Sequence, residues 1–173
     1  MSTVATIQNE KIITDQARAG ILAFEEKLKN MPEAVIGDSD ICPLNHTFCS
    51  GLYARDMQIP AGMQIVGKIH KEGHLIFLME GEILVATEEG VVHLTAPQYF
   101  VSPPGVKRAA ITLTDTVWIN VHANPTNEHN LAKIEERLIA KSFTEFDKYA
   151  EKLAWKKKTI KEKLFATIKK YLP

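Results

Sequence analysis

Residues 62–87 read GMQIVGKIHKEGHLIFLMEGEILVAT. Three apolar segments, 63–70, 75–79 and 83–87, are separated by Lys71-Glu72-Gly73 and Glu80-Gly81. Each is too short for a stable helix, each is rich in branched residues, and glycine marks each break, so the stretch predicts three strands joined by tight turns. The rhythm extends both ways. Upstream lies 52–59, ended by Pro60-Ala61-Gly62. Downstream lie 91–94, 99–101, 109–113 and 116–123, punctuated by Glu88-Glu89-Gly90, Pro103-Pro104-Gly105 and Thr114-Asp115. Many short strands at even spacing predict a sandwich or a closed barrel.

The flanks change period. Ile21, Phe24, Leu28 and Met31 recur at three and four residues, predicting a helix over 2–31 that Pro32 ends. A turn-forming run, Gly37-Asp38-Ser39-Asp40, follows. From 131 to 172 the pattern is helical again, with Leu131, Ile134, Leu138 and Ile139 on one stripe. Phe143, Phe146, Ala150 and Leu153 begin a second stripe, continued by Ile160, Leu164, Ile168 and Tyr171; Lys157 interrupts it and predicts a break or bend near 155–158. The division is therefore 1–47 helix and loop, 48–125 β-barrel, and 126–173 helices with a basic amphipathic tail.

Composition bounds the class. With 45% hydrophobic and 24% charged residues over 173, the chain can bury a core and is neither disordered nor a membrane bundle. No secretory leader pattern opens it, so a cytoplasmic setting is the expectation, with Cys42 and Cys49 as reduced structural thiols. The net charge of zero hides an asymmetry. Residues 152–173 hold eight lysines against one glutamate, a net of +7, which leaves −7 on the rest.

The residues from Gly62 to Thr112 resemble the two motifs of the cupin superfamily. The first, His-x-His-x3-Glu-x6-Gly, is placed by Gly81 and sets His74 in the glutamate slot, His70 in the second histidine slot and Lys68 in the first. The second, Pro-x-Gly-x2-His-x3-Asn, falls on Pro103, Gly105, Arg108 and Thr112. The turn skeleton is present, while one of four metal-ligand slots holds the residue type of the family. The resemblance implies a mainly β fold, a double-stranded β-helix or jelly-roll barrel with helical extensions at both ends. Residues 31–142 also resemble small cupin-like proteins found in bacteriophage genomes.

Within such a barrel alternate residues point inward. The register implied by the resemblance sends Lys68, His70, His74 and Arg108 into one cavity. The alternation of 116–123 puts Trp118, Asn120 and His122 on one face, opposite Val117, Ile119 and Val121. Two chemistries compete for these residues. His70, His74 and His122 could hold one divalent transition metal ion. Alternatively Lys68, His70, His74, Arg108, Trp118 and Asn120 form a positive pocket for an anionic small molecule, the guanidinium gripping a carboxylate or phosphate. A solvated, idle barrel mouth is the bland third case. His46 and His93 read as structural or surface, His129 as exposed, and Lys156-Lys157-Lys158 as a solvated helix face. Nothing predicts specific nucleic-acid binding or a membrane span. The apolar outer faces and terminal stripes predict a homo-oligomer, with the tail from Phe143 packed on another subunit or on a different protein. The second function class follows from this: a non-enzymatic structural or interaction protein, virion-associated if of phage origin, with the barrel as packing module.

Overall fold

The computed structural model describes residues 3–171, with the side chains of 14–162 and Phe165. The expected mixture of barrel and terminal helices is what forms. Helix α1 (Thr3–Lys29) leads into strands β1 (Leu44–Cys49), β2 (Leu52–Ile59), β3 (Gln64–Val66), β4 (Ile69–His70), β5 (His74–Glu80), β6 (Glu82–Thr87), β7 (Gly90–Thr95), β8 (Gln98–Ser102), β9 (Ala109–Thr112) and β10 (Thr116–Ala123). Helix α2 (Leu131–Leu138), the short strand β11 (Ile139–Ala140) and helix α3 (Phe143–Tyr171) complete the chain.

The strands make a jelly roll of two main antiparallel sheets, β1-β2-β10-β5-β8 and β3-β9-β6-β7, with a two-stranded ladder of β11 and β4 at one end. Ile59, Ile76, Leu78, Ile83, Val85 and Trp118 meet between the sheets as the main core. Each of these side chains, fully buried, contributes about 1.5–3 kcal/mol. A second cluster, Tyr53, Ile134 and Leu138 with Phe48 and Ile139 packed on it, seats α2 over the open end of the barrel. Asn130 caps α2 by accepting the Lys133 N–H at 3.2 Å. Helix α1 is pinned by the ion pair Arg18–Glu88 at 2.9 Å and by the buried amino group of Lys107, which reaches Glu25 at 3.1 Å.

Three expectations need correction. The single strand over 63–70 is two, β3 and β4, because the chain turns away at Gly67-Lys68. The Gly67 N–H donates to the Arg108 carbonyl at 2.8 Å, while His70 and Ile69 leave the β9 ladder to pair with Ile139 and Ala140. The bend near 155–158 does not occur; α3 runs through it, since residues 151–158 are all exposed and Lys157 costs nothing in water. The break lies earlier, at Ile139, which caps α2 in an extended conformation so that β11 can pair with β4. Strand β1 carried no strand expectation, the first expected strand being 52–59, yet it pairs along its whole length with β2.

The first turns of α3 cover their own barrel. Phe146 rests on Gly105, where an added Cβ would come within 2.3 Å of its ring, Arg18 stacks 4.4 Å from the Phe143 ring centre, and Glu145 pairs with Lys71 at 3.0 Å. Beyond Ala154 the exposed large residues are Trp155, Ile160 and Phe165. The expectations placed on Leu172 and on the side chains of Leu164, Ile168 and Tyr171 fall outside the described residues.

Candidate functional site

Three imidazoles meet below α2. His70 arrives on β4, His74 starts β5 after the turn Lys71-Glu72-Gly73, and His122 comes from β10, where burial alternates strictly along Thr116, Trp118, Asn120 and His122. Ring centres are 4.2 Å apart for His70 and His74, 4.4 Å for His74 and His122, and 4.9 Å for His70 and His122. One ligating nitrogen from each lies within 4.8 Å of the others, and all three residues are buried. Small side-chain rotations would let one ion be reached by all three.

Burial dominates their electrostatics. It pushes His70 down to about 2, assisted by His74, His122, Arg55 and Arg108 in that order. His122 falls to about 3 through burial, then through His74, Arg55 and Arg137. His74 falls to about 4: burial and Arg108 lower it, while the Glu72 carbonyl and the Asn120 side chain pull upward. At neutral pH all three rings are uncharged, and each offers a nitrogen lone pair. The Nδ1 atoms of His70 and His122 are buried and have no hydrogen-bond partner, whereas His74 Nδ1 has the Glu72 carbonyl at 3.4 Å. Leaving a buried polar atom unpaired costs about 1–3 kcal/mol. Three uncharged imidazoles with converging nitrogens, two of the rings short of a hydrogen-bond partner, are a donor set that fits a metal ion.

The remaining candidates spread around this triad. Lys68 is exposed on the rim and its amino group is held by Glu135 of α2. Arg108 precedes β9, donates to Ser102 Oγ at 2.9 Å, and lies 6.0 Å from the Phe100 ring centre. Trp118 sits in the main core, edge-on to Phe100 at 5.8 Å, and its indole N–H donates to Asn120 Oδ1 at 3.2 Å. Asn120 thereby links the core to His74. His46 and Tyr53 satisfy each other at 2.8 Å, His93 pairs with Glu82 on the surface, and His129 is exposed against Phe48.

Sequence reasoning passed over Arg55, whose charge acts on all three histidines. Its signal was the alternation Tyr53, Arg55, Met57, Ile59, which sends a guanidinium inward among apolar neighbours on the same face of β2. With Tyr53, Lys68, His70, His122 and α2 it lines a cavity of about 250 Å³.

No protein-family model matches the chain, and no curated protein matches it in sequence. Among solved structures it is similar to an RmlC-like cupin from Shewanella frigidimarina, at 20% identity and a TM-score of 0.44 over 60% of this chain and 93% of that one. A cupin domain from Bordetella pertussis is similar at 18% identity and a TM-score of 0.40, covering 52% and 99% of the two chains. A salicylate 1,2-dioxygenase from Pseudoaminobacter salicylatoxidans gives 14% identity and a TM-score of 0.48 over 75% of this chain and 36% of that enzyme. At these identities the likeness is one of fold.

Proposed function

We propose that the protein binds one divalent transition metal ion on His70, His74 and His122 and uses the site to take up a small anionic molecule. The observation that carries this reading is the convergence of three buried imidazoles, each with a nitrogen within 4.8 Å of the others, two of them with a partnerless Nδ1. An all-imidazole donor set suits zinc, copper, iron or nickel better than calcium or magnesium. When bound, such an ion supplies Lewis acidity and activates a water molecule. No carboxylate joins the donors, so the ion's charge is left for an incoming anion to balance, and Arg55 and Arg108 favour the same sign of ligand. Asn120 and the Glu72 carbonyl orient His74, as outer partners of ligating histidines commonly do. The neutral rings themselves add no positive charge, and Lys68 is spoken for by Glu135, so an anion site without a metal rests on the two arginines alone.

Elemental analysis of tag-free protein dialysed against zinc should find about one ion per chain. His122→Ala should lower that occupancy by at least tenfold, in line with the loss of one of three ligands, while His93→Ala should leave it unchanged. Equal metal content in all three proteins would place the ion elsewhere.

A second reading, a protein that also works by assembly, is favoured by the outer face of the five-stranded sheet. Tyr99, Phe77 and Ile119 align across β8, β5 and β10, as do Val101, Leu75 and Val121. Tyr99 is 71% exposed and Val101 67% exposed on the edge strand β8. Apolar rows beside an unpaired edge are a pairing surface. We infer a homo-oligomer formed through this face, with the +7 segment of residues 152–173 drawn to the −7 body of a neighbouring copy. Val101→Lys should reduce the subunit number seen by light scattering, and a chain ending at Ala154 should do so if the tail contributes. Unchanged assembly in Val101→Lys would remove the sheet face from the interface.

A further inference from the structure

The cavity of about 250 Å³ lies between the inner faces of β1 and β2 and the underside of α2. Its inner end holds His70, His122 and Arg55, and its outer wall is Leu131, Ile134, Leu138 and Ile139. Four charged side chains line it: Asp38, Arg55, Lys68 and Glu135. Lys68 and Glu135 neutralise each other. The Asp38 carboxylate accepts the Leu44 N–H at 2.8 Å and forms no ion pair with Arg55. Tyr53 and His46 are hydrogen-bonded together. Arg55 is left over. Its Nε is buried without a partner, and among the described residues nothing hydrogen-bonds or pairs with its guanidinium.

A fold that buries the Nε–H of a guanidinium and offers it no acceptor has a vacancy for one. The Nε–H and Nη–H edge matches the two oxygens of a carboxylate. We propose that Arg55 anchors the carboxylate of a small ligand whose apolar body lies against α2, beside the three imidazoles. This deepens the metal-site reading, on which it rests for the neighbouring ion, by naming the class of ligand. A cavity of about 150 Å³ lined by apolar groups takes a benzene molecule, so this one has room for a single ring or a short branched chain bearing one carboxylate. A phosphate ester matches less well, because one unpaired guanidinium opposes its two charges and four aliphatic side chains form the opposite wall. Arg108, already joined to Ser102 and absent from the cavity lining, is not this anchor.

The test is calorimetric titration with benzoate, and separately with inorganic phosphate, into zinc-loaded and chelator-treated protein. Benzoate should bind both forms, and phosphate should bind at least tenfold more weakly. Arg55→Gln should weaken benzoate at least tenfold, as expected for loss of a charge-assisted bidentate contact, with zinc content equal to the parent. Arg55→Gln should also melt no lower than the parent, because it removes a half-buried guanidinium that has no partner; an arginine kept for structure would lower the melting temperature. Leu131→Glu, on the exposed end of the apolar wall, should weaken benzoate by like-charge repulsion, and this variant does not depend on tolerance of change at Arg55. Benzoate affinity unchanged in Arg55→Gln, phosphate binding as tight as benzoate, or no benzoate binding to the parent would each overturn the proposal. If the parent takes up no zinc yet Arg55→Gln still loses benzoate, the metal reading fails and the carboxylate anchor stands.

Discussion

Metal-free protein should lose stability steeply as the pH falls from about 6.5 to 5, before ordinary carboxylates begin to titrate. The sign follows from the three histidines, whose pKa values lie at about 2, 3 and 4 in the fold against 6.5 for the free side chain. Below 6.5 the unfolded chain takes up protons that the folded chain refuses, so folding is penalised. The stabilisation from neutral imidazoles is complete above the unfolded value and drains away as the pH falls towards the folded ones. Each pKa unit is worth about 1.4 kcal/mol, so the descent to pH 5 should cost about 2 kcal/mol per ring and about 6 for the three together. Against a total of about 5–15 kcal/mol for a domain, that is a large share. Glu128 and Glu145, held low by their backbone hydrogen bonds to Asn130 and Lys141 respectively, withdraw their contributions only at lower pH. Urea melts across pH 4.5–7.5 would read the effect directly. Replacing the three histidines together with asparagine should flatten the curve between 6.5 and 5; the same slope in that variant would assign the acid limb to other groups. Restoring zinc should raise stability at pH 7 and make the acid limb steeper, since protons then compete with the ion for the same nitrogens.

How much of this was legible in the sequence depends on the kind of signal. The barrel was legible because glycine and proline punctuate strands of ordinary length, so that β2, β5, β6 and β10 fall where alternation and turn chemistry put them. Strand β1 was obscured by its content: Leu44, Asn45, His46, Thr47 and Phe48 alternate weakly, and the ladder with β2 rather than propensity makes them extended. Strand β11 could not be read at all. Ile139 continues a helical stripe in sequence, and only the pairing of Ile139 and Ala140 with β4 overrides it. That two-residue ladder also holds His70 in place, so the feature hidden from the sequence is part of what positions the site.

The three histidines were legible through spacing to one glycine and through alternation on β10. Their charge state was not, because it depends on burial that α2 completes. Arg55 was hidden for a different reason: its inward direction is plain from alternation on β2, but its lack of a partner is a fact about every other charged group near it. Lys68 shows the converse. Its position predicted a cavity charge, and at the cavity wall its long flexible side chain meets Glu135, which cancels that charge.

Gly81→Ala should be the most damaging single substitution at the corner that sets this register. Gly81 joins β5 to β6 and carries the chain from one sheet to the other, at φ +89°, a left-handed conformation that costs a residue with a Cβ about 1–2 kcal/mol. Space is the larger obstacle. An added Cβ would stand 2.3 Å from the Asp115 carbonyl oxygen, 2.6 Å from Thr116 Oγ1 and 2.9 Å from Thr116 Cα. Two of these atoms are backbone, and they cannot rotate away. They are also fixed from behind: Asp115 accepts the Ala61 N–H at 2.9 Å, the Glu82 N–H donates to Thr114 Oγ1 at 2.8 Å, and the Leu113 N–H donates to the Glu82 carbonyl at 2.7 Å. Forcing a methyl group into such packing costs about 1–3 kcal/mol more, for a total of about 2–5. The displaced segment is the start of β10, whose ladder with β5 already shifts register between Val117 and Trp118. The push is therefore transmitted along the strand that delivers Asn120 and His122 to the site. Gly81→Ala should lower the midpoint of urea unfolding and, in the fraction still folded, weaken zinc binding although the substitution touches none of the three histidines. Gly90→Ala is the control, a glycine at φ +126° with open space around its would-be Cβ, where only backbone strain applies. Equal losses of stability in the two variants would show that conformation alone, and not the contact with Asp115 and Thr116, keeps position 81 a glycine.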